Sequence, residues 1–242
     1  MLRKEKFVPG EYYHIYSRTL LNIPEFKNYK NAKRLEWAFL ISNSTNSSEA
    51  FQFIRNDASA KTEDILKILK NGEKLIDILS YVIMPDHYHL LVREIKNNGI
   101  KNFVHKANTS IAKYINIKNE RRGPLFESRF KSKHINTNEY LLHLSLYIHL
   151  NPLDFLIGKG WREHSLKNWS SIKSKLLDYQ WSSLKHFLIA GQKNPIISGT
   201  EIIKEQFDNE KDYENFLRNW SEEPTEDKNI FIDLSFTDAG LR

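Results

Sequence analysis

Residues 76–92 constrain the fold more than any other stretch: IDILSYVIM runs into Pro85-Asp86 and then HYHLLV. The first run is β-branched and apolar enough for a central strand. Proline breaks it, because proline cannot donate to a ladder, and an apolar run then resumes. The pattern predicts a strand pair or one bent strand. Side chains at i and i+2 of a strand share a face, so His87 and His89 project together, with Tyr88 and Leu90 on the other side. Two imidazoles on one face of a rigid strand can share a divalent cation. Nine histidines among 242 residues yield about 0.3 such pairs by chance. By spacing alone, two surface histidines on a strand are therefore the better reading.

The flanking segments mix strands and helices without a βαβ rhythm or a Gly-rich phosphate loop, which predicts an α+β fold around an antiparallel sheet. EYYHIYSR (11–18) alternates as a first strand, and KNAKRLEWAFLI (30–41) reads as a helix. SNSTNSSEA reads as an exposed loop, and TEDILKILK as a short helix closed by Asn71-Gly72. Ile100, Phe103, Val104, Ala107, Ile111, Tyr114 and Ile115 fall at helical spacing, with Lys101, Lys106 and Lys113 off that stripe. RRGPLFESRFKSKHI turns at Gly-Pro into a basic β-like segment, and Asn136 with Glu139 signals an N-cap for the helix EYLLHLSLYIHL. Beyond this the chain turns Trp- and Ser-rich, then acidic and helical. The expected division is a catalytic domain over 1–160 and a C-terminal segment over 161–242.

Charge is unevenly spread. The net +6 hides twelve acidic against five basic side chains in 201–242, and nine Lys/Arg against two Glu in 101–134. A concentrated basic stretch suggests a polyanion, nucleic acid being the commonest, and a solvated helix face explains the charge equally well. The phosphate-tracking candidates are Arg18, Lys101, Lys106, Lys113, Arg121, Arg122, Arg129, Lys131 and Lys133, with Phe126, Phe130 and Tyr114 as base-stacking candidates. No run approaches the ~18 apolar residues of a membrane span, and the N-terminus lacks the apolar core of a secretory leader. The absence of cysteine excludes disulfides and thiolate chemistry and fits a cytoplasmic protein.

A histidine pair needs a third donor. On the helix near residue 147, His143, Tyr147 and Asn151 are spaced four apart and share a stripe. The Asn151 amide oxygen suits Mg²⁺ or Mn²⁺ in a His-His-Asn set. Tyr147 would sit one turn away. It also lies between Leu144 and Ile148, where a core tyrosine is the stronger reading from spacing alone.

Five segments, in order, resemble the REP-associated tyrosine transposases of the single-tyrosine HUH superfamily. YYHIYSR resembles their YHV-x-x-R opening strand, and MPDHYHLLV their M-P-N-H-x-H-L-L-V segment. GPLFESRFKSKHI is similar to G-x-L-W-x-x-R-F-K, YIHLNPL to the tyrosine-bearing Y-I-x-x-N-P, and WSSLKHF to W-S-S-Y. The resemblance implies a ferredoxin-like antiparallel sheet with helices on one face, plus a C-terminal helical extension. It makes His87, His89 and Asn151 ligands of Mg²⁺ or Mn²⁺ and Tyr147 the nucleophile. It further implies single-stranded or hairpin DNA as substrate, a 5′-phosphotyrosine intermediate, and a monomer or homodimer. Three departures stand out: Asp86 where Asn is usual, a long insert over 43–74, and an acidic tail after about 192. The rival readings are a catalytically silent hairpin-binding protein and a replication-initiation nuclease. The second usually carries a helicase domain or a second tyrosine, and no Walker loop is present.

Overall fold

The computed structural model describes residues 6–222, except 58, 163 and 165. Four strands, β1 (Tyr12–Arg18), β2 (Ile76–Ile83), β3 (His87–Glu94) and β4 (Lys131–Ile135), form one sheet in the order β2-β3-β1-β4. Every pairing is antiparallel. The helices are α1 (Tyr29–Ser42), α2 (Ser47–Asn56), α3 (Thr62–Leu69), α4 (Gly99–Lys118), α5 (Asn138–Leu150), α6 (Leu153–Leu156), α7 (Trp169–Asp178), α8 (Lys185–Leu188), α9 (Glu201–Lys204) and α10 (Glu210–Glu222). The α+β antiparallel expectation holds. No helix among the described residues is long and apolar enough to cross a membrane.

Helices cover both faces, not the one face expected. Tyr13 and Ile15 of β1, with Tyr88, Leu90 and Val92 of β3, pack into a core with α1 and α4. Leu79, Val82 and Leu91 join Leu144 and Ile148 of α5, and residues of α7 and α10, in a second core. Both faces of the sheet are apolar enough to need cover, since burying one leucine-sized side chain stabilises the fold by about 1.5–3 kcal/mol. An irregularity between Ile78 and Ser80 shifts the register. It lets Ile76, Ile78, Tyr81 and Ile83 all reach the first core despite their mixed parity.

β2 is an edge strand rather than the central strand its composition suggests. Its outer rim is covered instead by the C-terminal segment: Ile83 donates to Trp181 at 2.9 Å, and Ser183 and Ser198 donate to Tyr81 and Ile78 at 3.0 Å each. An edge strand so covered reads like an interior one. The SNSTNSSEA stretch is also not an exposed loop. Ser42, Asn43, Ser44 and Ser47 are buried, and α2 starts at Ser47. The reason lies in Asn43, whose amide donates to Ile76 O at 2.9 Å and accepts from Leu75 and Ile76 at 3.1 and 3.0 Å. It thereby satisfies the backbone at the start of β2. The cap of α5 is Thr137, which accepts from Tyr140 N at 3.1 Å, rather than Asn136.

Candidate active site

Strand alternation builds the site. On β3, Tyr88 and Leu90 turn toward α1 and α4, so His87 and His89 turn toward α5. On β1, Tyr13 and Ile15 turn the first way, so His14 and Tyr16 turn the second. The register places Tyr16 opposite His89 and Arg18 opposite His87. On the other side of β1, Lys133 stands opposite His14 and Lys131 opposite Tyr16.

Helix α5 lays Tyr147 across this face. The His89 and Tyr147 rings meet edge-on with centroids 5.3 Å apart, and His87 and His89 meet edge-on at 5.0 Å. Asn151 lies one turn beyond Tyr147 and is 1% exposed. Its Oδ1 accepts no hydrogen bond among the described residues. A buried amide oxygen without a donor costs about 1–3 kcal/mol, so its persistence points to a missing partner.

Each predicted histidine ligand has its Nδ1 engaged. His87 Nδ1 lies 2.6 Å from Asp86 Oδ1, and His89 Nδ1 lies 2.9 Å from His14 Nε2. That arrangement fixes each ring and leaves Nε2 as the atom through which it would ligate, as metal-bound histidines are usually held. Asp86 therefore has a role the sequence reading did not assign, orienting His87. Among the described residues no group of three His, Asp or Glu side chains is placed to hold an ion. The unsatisfied Asn151 Oδ1 is the kind of donor that suits a hard divalent cation.

Electrostatics keep the His14 and His89 imidazoles neutral and the Tyr147 phenol protonated. Burial, followed by the charges of His14, His87, Arg18 and Arg162, holds His89 well below the usual imidazole range. Burial and Lys133 bring His14 down to about 3. Burial raises Asp86, but the hydrogen bond and charge of His87, with the charge of Arg18, outweigh it and hold the carboxyl low. Tyr147 is 2% exposed. Burial pushes its phenol up to about 12, against the opposing charges of Arg162 and Arg18 and a hydrogen bond from Asn151. The Arg162 guanidinium lies 5.2 Å from the Tyr147 ring centre and is held by Asp154 at 3.0 and 3.1 Å.

The basic candidates are divided between the two faces. Arg18 stands 3.7 Å from Asp86, and Lys131 and Lys133 lie on β4 beside the histidines. Lys106 and Lys113 line a groove among α1, α2 and α4, on the far side of the sheet. Lys101, Arg122 and Arg129 are exposed, and Arg121 pairs with Glu25 at 3.1 Å. Of the stacking candidates, Phe126 is buried against Phe26 and Tyr88. Phe130 stacks on Phe7, and Tyr114 lines the groove. Sequence reasoning missed His14 and Arg162. The alternation of YYHIYSR placed His14 on one face with Tyr16, which was a usable signal. Nothing local marks Arg162, which reaches Tyr147 only through the fold.

Residues 48–151 match the family model described as "Transposase IS200 like". No curated protein matches the chain. A solved REP-associated tyrosine transposase bound to a REP hairpin aligns at 14% identity and a TM-score of 0.45, covering 82% of this chain and 92% of that one. The matched segment carries both histidines of β3, Tyr147 and Asn151, and over that segment the chain is similar to the IS200-like transposases.

Proposed function

We propose that the protein is a metal-dependent single-stranded DNA nicking and joining enzyme that forms a 5′-phosphotyrosine intermediate, acting at hairpin DNA in the cytoplasm. The observation that carries this is the meeting of Tyr147, two imidazoles with braced Nδ1 atoms, and an unsatisfied Asn151 Oδ1 on one buried face. His87, His89 and Asn151 would hold Mg²⁺ or Mn²⁺. When bound, such an ion neutralises charge that develops on the scissile phosphate.

The remaining chemistry belongs to the chain. The Tyr147 oxygen forms a bond to phosphorus as the phosphorus–3′-oxygen bond breaks. The phenolic proton is released, and the leaving oxygen takes one up as a 3′-hydroxyl. A second 3′-hydroxyl reverses the step and joins strands, since the phosphotyrosine retains the phosphodiester's energy. A phenol held near 12 is a poor nucleophile at neutral pH. Arg162 and Asn151, which both favour the phenolate, supply part of the activation. Arg18, Lys131 and Lys133 border the same face and would receive the DNA backbone. Arg162 lies just past the proposed 1–160 catalytic domain, so the segment beginning at 161 contributes to the site.

The raised phenol and its burial favour one second reading, a hairpin-binding protein that does no chemistry. Incubation with labelled hairpin DNA and Mg²⁺ or Mn²⁺, followed by a denaturing gel, separates the two. The enzyme reading expects a protein–DNA adduct that is absent with chelator and absent in Tyr147→Phe. Hairpin binding with no adduct under any metal assigns the protein to the silent class.

A further inference from the structure

On the layer opposite Tyr147, α1, α2 and α4 enclose a groove of about 990 Å³. Its walls are helical stripes. Lys30, Arg34 and Trp37 recur at three- and four-residue spacing along α1, and Lys106 and Lys113, seven apart, line the groove from α4 with Tyr114. Phe51 and Arg55, four apart, come from α2, the helix formed by the long insert. Basic side chains rim the groove and aromatic rings form its floor. Asp57 is the single acidic side chain lining it among the described residues.

Lys33 pairs with Glu36 at 2.6 Å, but several of the other cations lack an ion-pair partner among the described residues. Arg34, Arg55, Lys106 and Lys113 form no ion pair among the described residues. The Arg34 Nε is buried without an acceptor, and its guanidinium lies 5.5 Å from the Tyr114 ring centre. Lys106 reaches only the Ser44 carbonyl, at 3.3 Å. Burial lowers the pKa of both Arg34 and Lys106. Holding cations partly out of water without a counter-charge is unfavourable, and an anion seated in the groove removes that cost.

We infer that this groove is a second DNA-binding site, taking a single-stranded segment whose phosphates meet the Lys/Arg rim and whose bases stack on the aromatic floor. Unpaired bases expose their faces for stacking, whereas duplex bases have theirs covered, and this selects single-stranded DNA. The choice of DNA as the polyanion rests on the DNA-processing reading above, and the groove itself does not. The sheet separates it from the tyrosine, so a strand engaged there is held apart from the strand being cut. The insert over 43–74 then has a use, as one wall.

The test needs no chemical step. Binding of labelled oligothymidylate to the full chain is measured against salt, with chelator present. The triple variant Arg55→Gln/Lys106→Gln/Lys113→Gln is expected to lower affinity about tenfold or more at 0.1 M salt and to flatten the log–log salt slope by about 2. Thermal melting checks that the variant folds. Bromodeoxyuridine cross-linking on the unsubstituted protein is expected to label peptides carrying Trp37, Phe51 or Tyr114. An unchanged slope in the folded variant overturns the inference, as do cross-links confined to β1, β3, β4 and α5. So does protection of Lys106 and Lys113 from acetylation by a peptide of residues 223–242 but not by oligothymidylate. That result would give the groove to the acidic segment. Loss of the tyrosine adduct alone would strike the proposed enzyme and leave this binding result standing.

Discussion

The two faces of β3 alternate residue by residue along the chain and differ in what they bury across the sheet. Tyr88, Leu90 and Val92 point into a core with α1 and α4 made of apolar side chains. His87 and His89 point the other way, into a buried patch of imidazoles, a phenol and an unsatisfied amide oxygen. The first face is lined chiefly by apolar side chains, although Arg34 Nε and Ser42 Oγ of α1 are also buried without a partner among the described residues. The second carries an unsatisfied Oδ1 at Asn151 and, at His89, an imidazole that burial drives neutral.

Neighbouring residues make the sharpest comparison. His89→Ala is expected to reduce adduct formation by at least about a hundredfold while leaving Tm within a few degrees. Leu90→Ala is expected to cost about 2–5 kcal/mol of stability, read by denaturant unfolding, with adduct per folded molecule close to wild type. If His89→Ala were the more destabilising and left the adduct intact, the functional division between the faces would fall.

Asp86→Asn gives a smaller effect. It keeps a side chain beside His87 but replaces the carboxylate that accepts from Nδ1. Metal affinity, measured by titrating Mn²⁺ against the adduct or by calorimetry, is expected to weaken about 10–100-fold. No change would mean that Asp86 acts only through its pairing with Arg18.

The smallest effect lies away from both faces, where the C-terminal helices meet. Burial raises Glu214, but hydrogen bonds from Lys173 and Trp169 and the charges of Lys173 and Lys211 outweigh it and hold the carboxyl low. The unfolded chain therefore binds a proton more readily than the folded one. The resulting stability is present above the ordinary glutamate range and is lost as pH falls through the lowered folded pKa. Glu214→Gln should remove this acid-sensitive part, expected at under about 1 kcal/mol for a pair near the surface. Melting curves at neutral and acidic pH read the difference.

How much was legible follows from where each signal lies. Period-two alternation is local, so the shared face of His87 and His89 was readable without coordinates, as was the helix carrying Tyr147 and Asn151. The same alternation in YYHIYSR held the information for His14, but its value appears only when β1 pairs with β3 and brings His14 Nε2 to 2.9 Å from His89 Nδ1. The SNSTNSSEA stretch misled because its polarity suggests solvent. Asn43 is buried to bond the backbone of β2, a partner more than thirty residues away. WSSLKHF is explained by the same kind of distant contact. Ser183 bonds the backbone of Tyr81 and the buried His149, which in turn meets Tyr213.

The sequence by itself determined the antiparallel α+β class, the histidine pair and the helices at 30–41, 100–115 and 139–150, because these rest on backbone periodicity and on motifs within short windows. Only the tertiary structure decided that helices cover both faces, that β2 is an edge strand closed by the C-terminal segment, and that Arg162 lies over Tyr147. It alone divided the basic residues between the histidine face and a groove behind the sheet. Each of these depends on which surfaces meet once apolar area is buried, and that is a property of the whole chain rather than of any window within it.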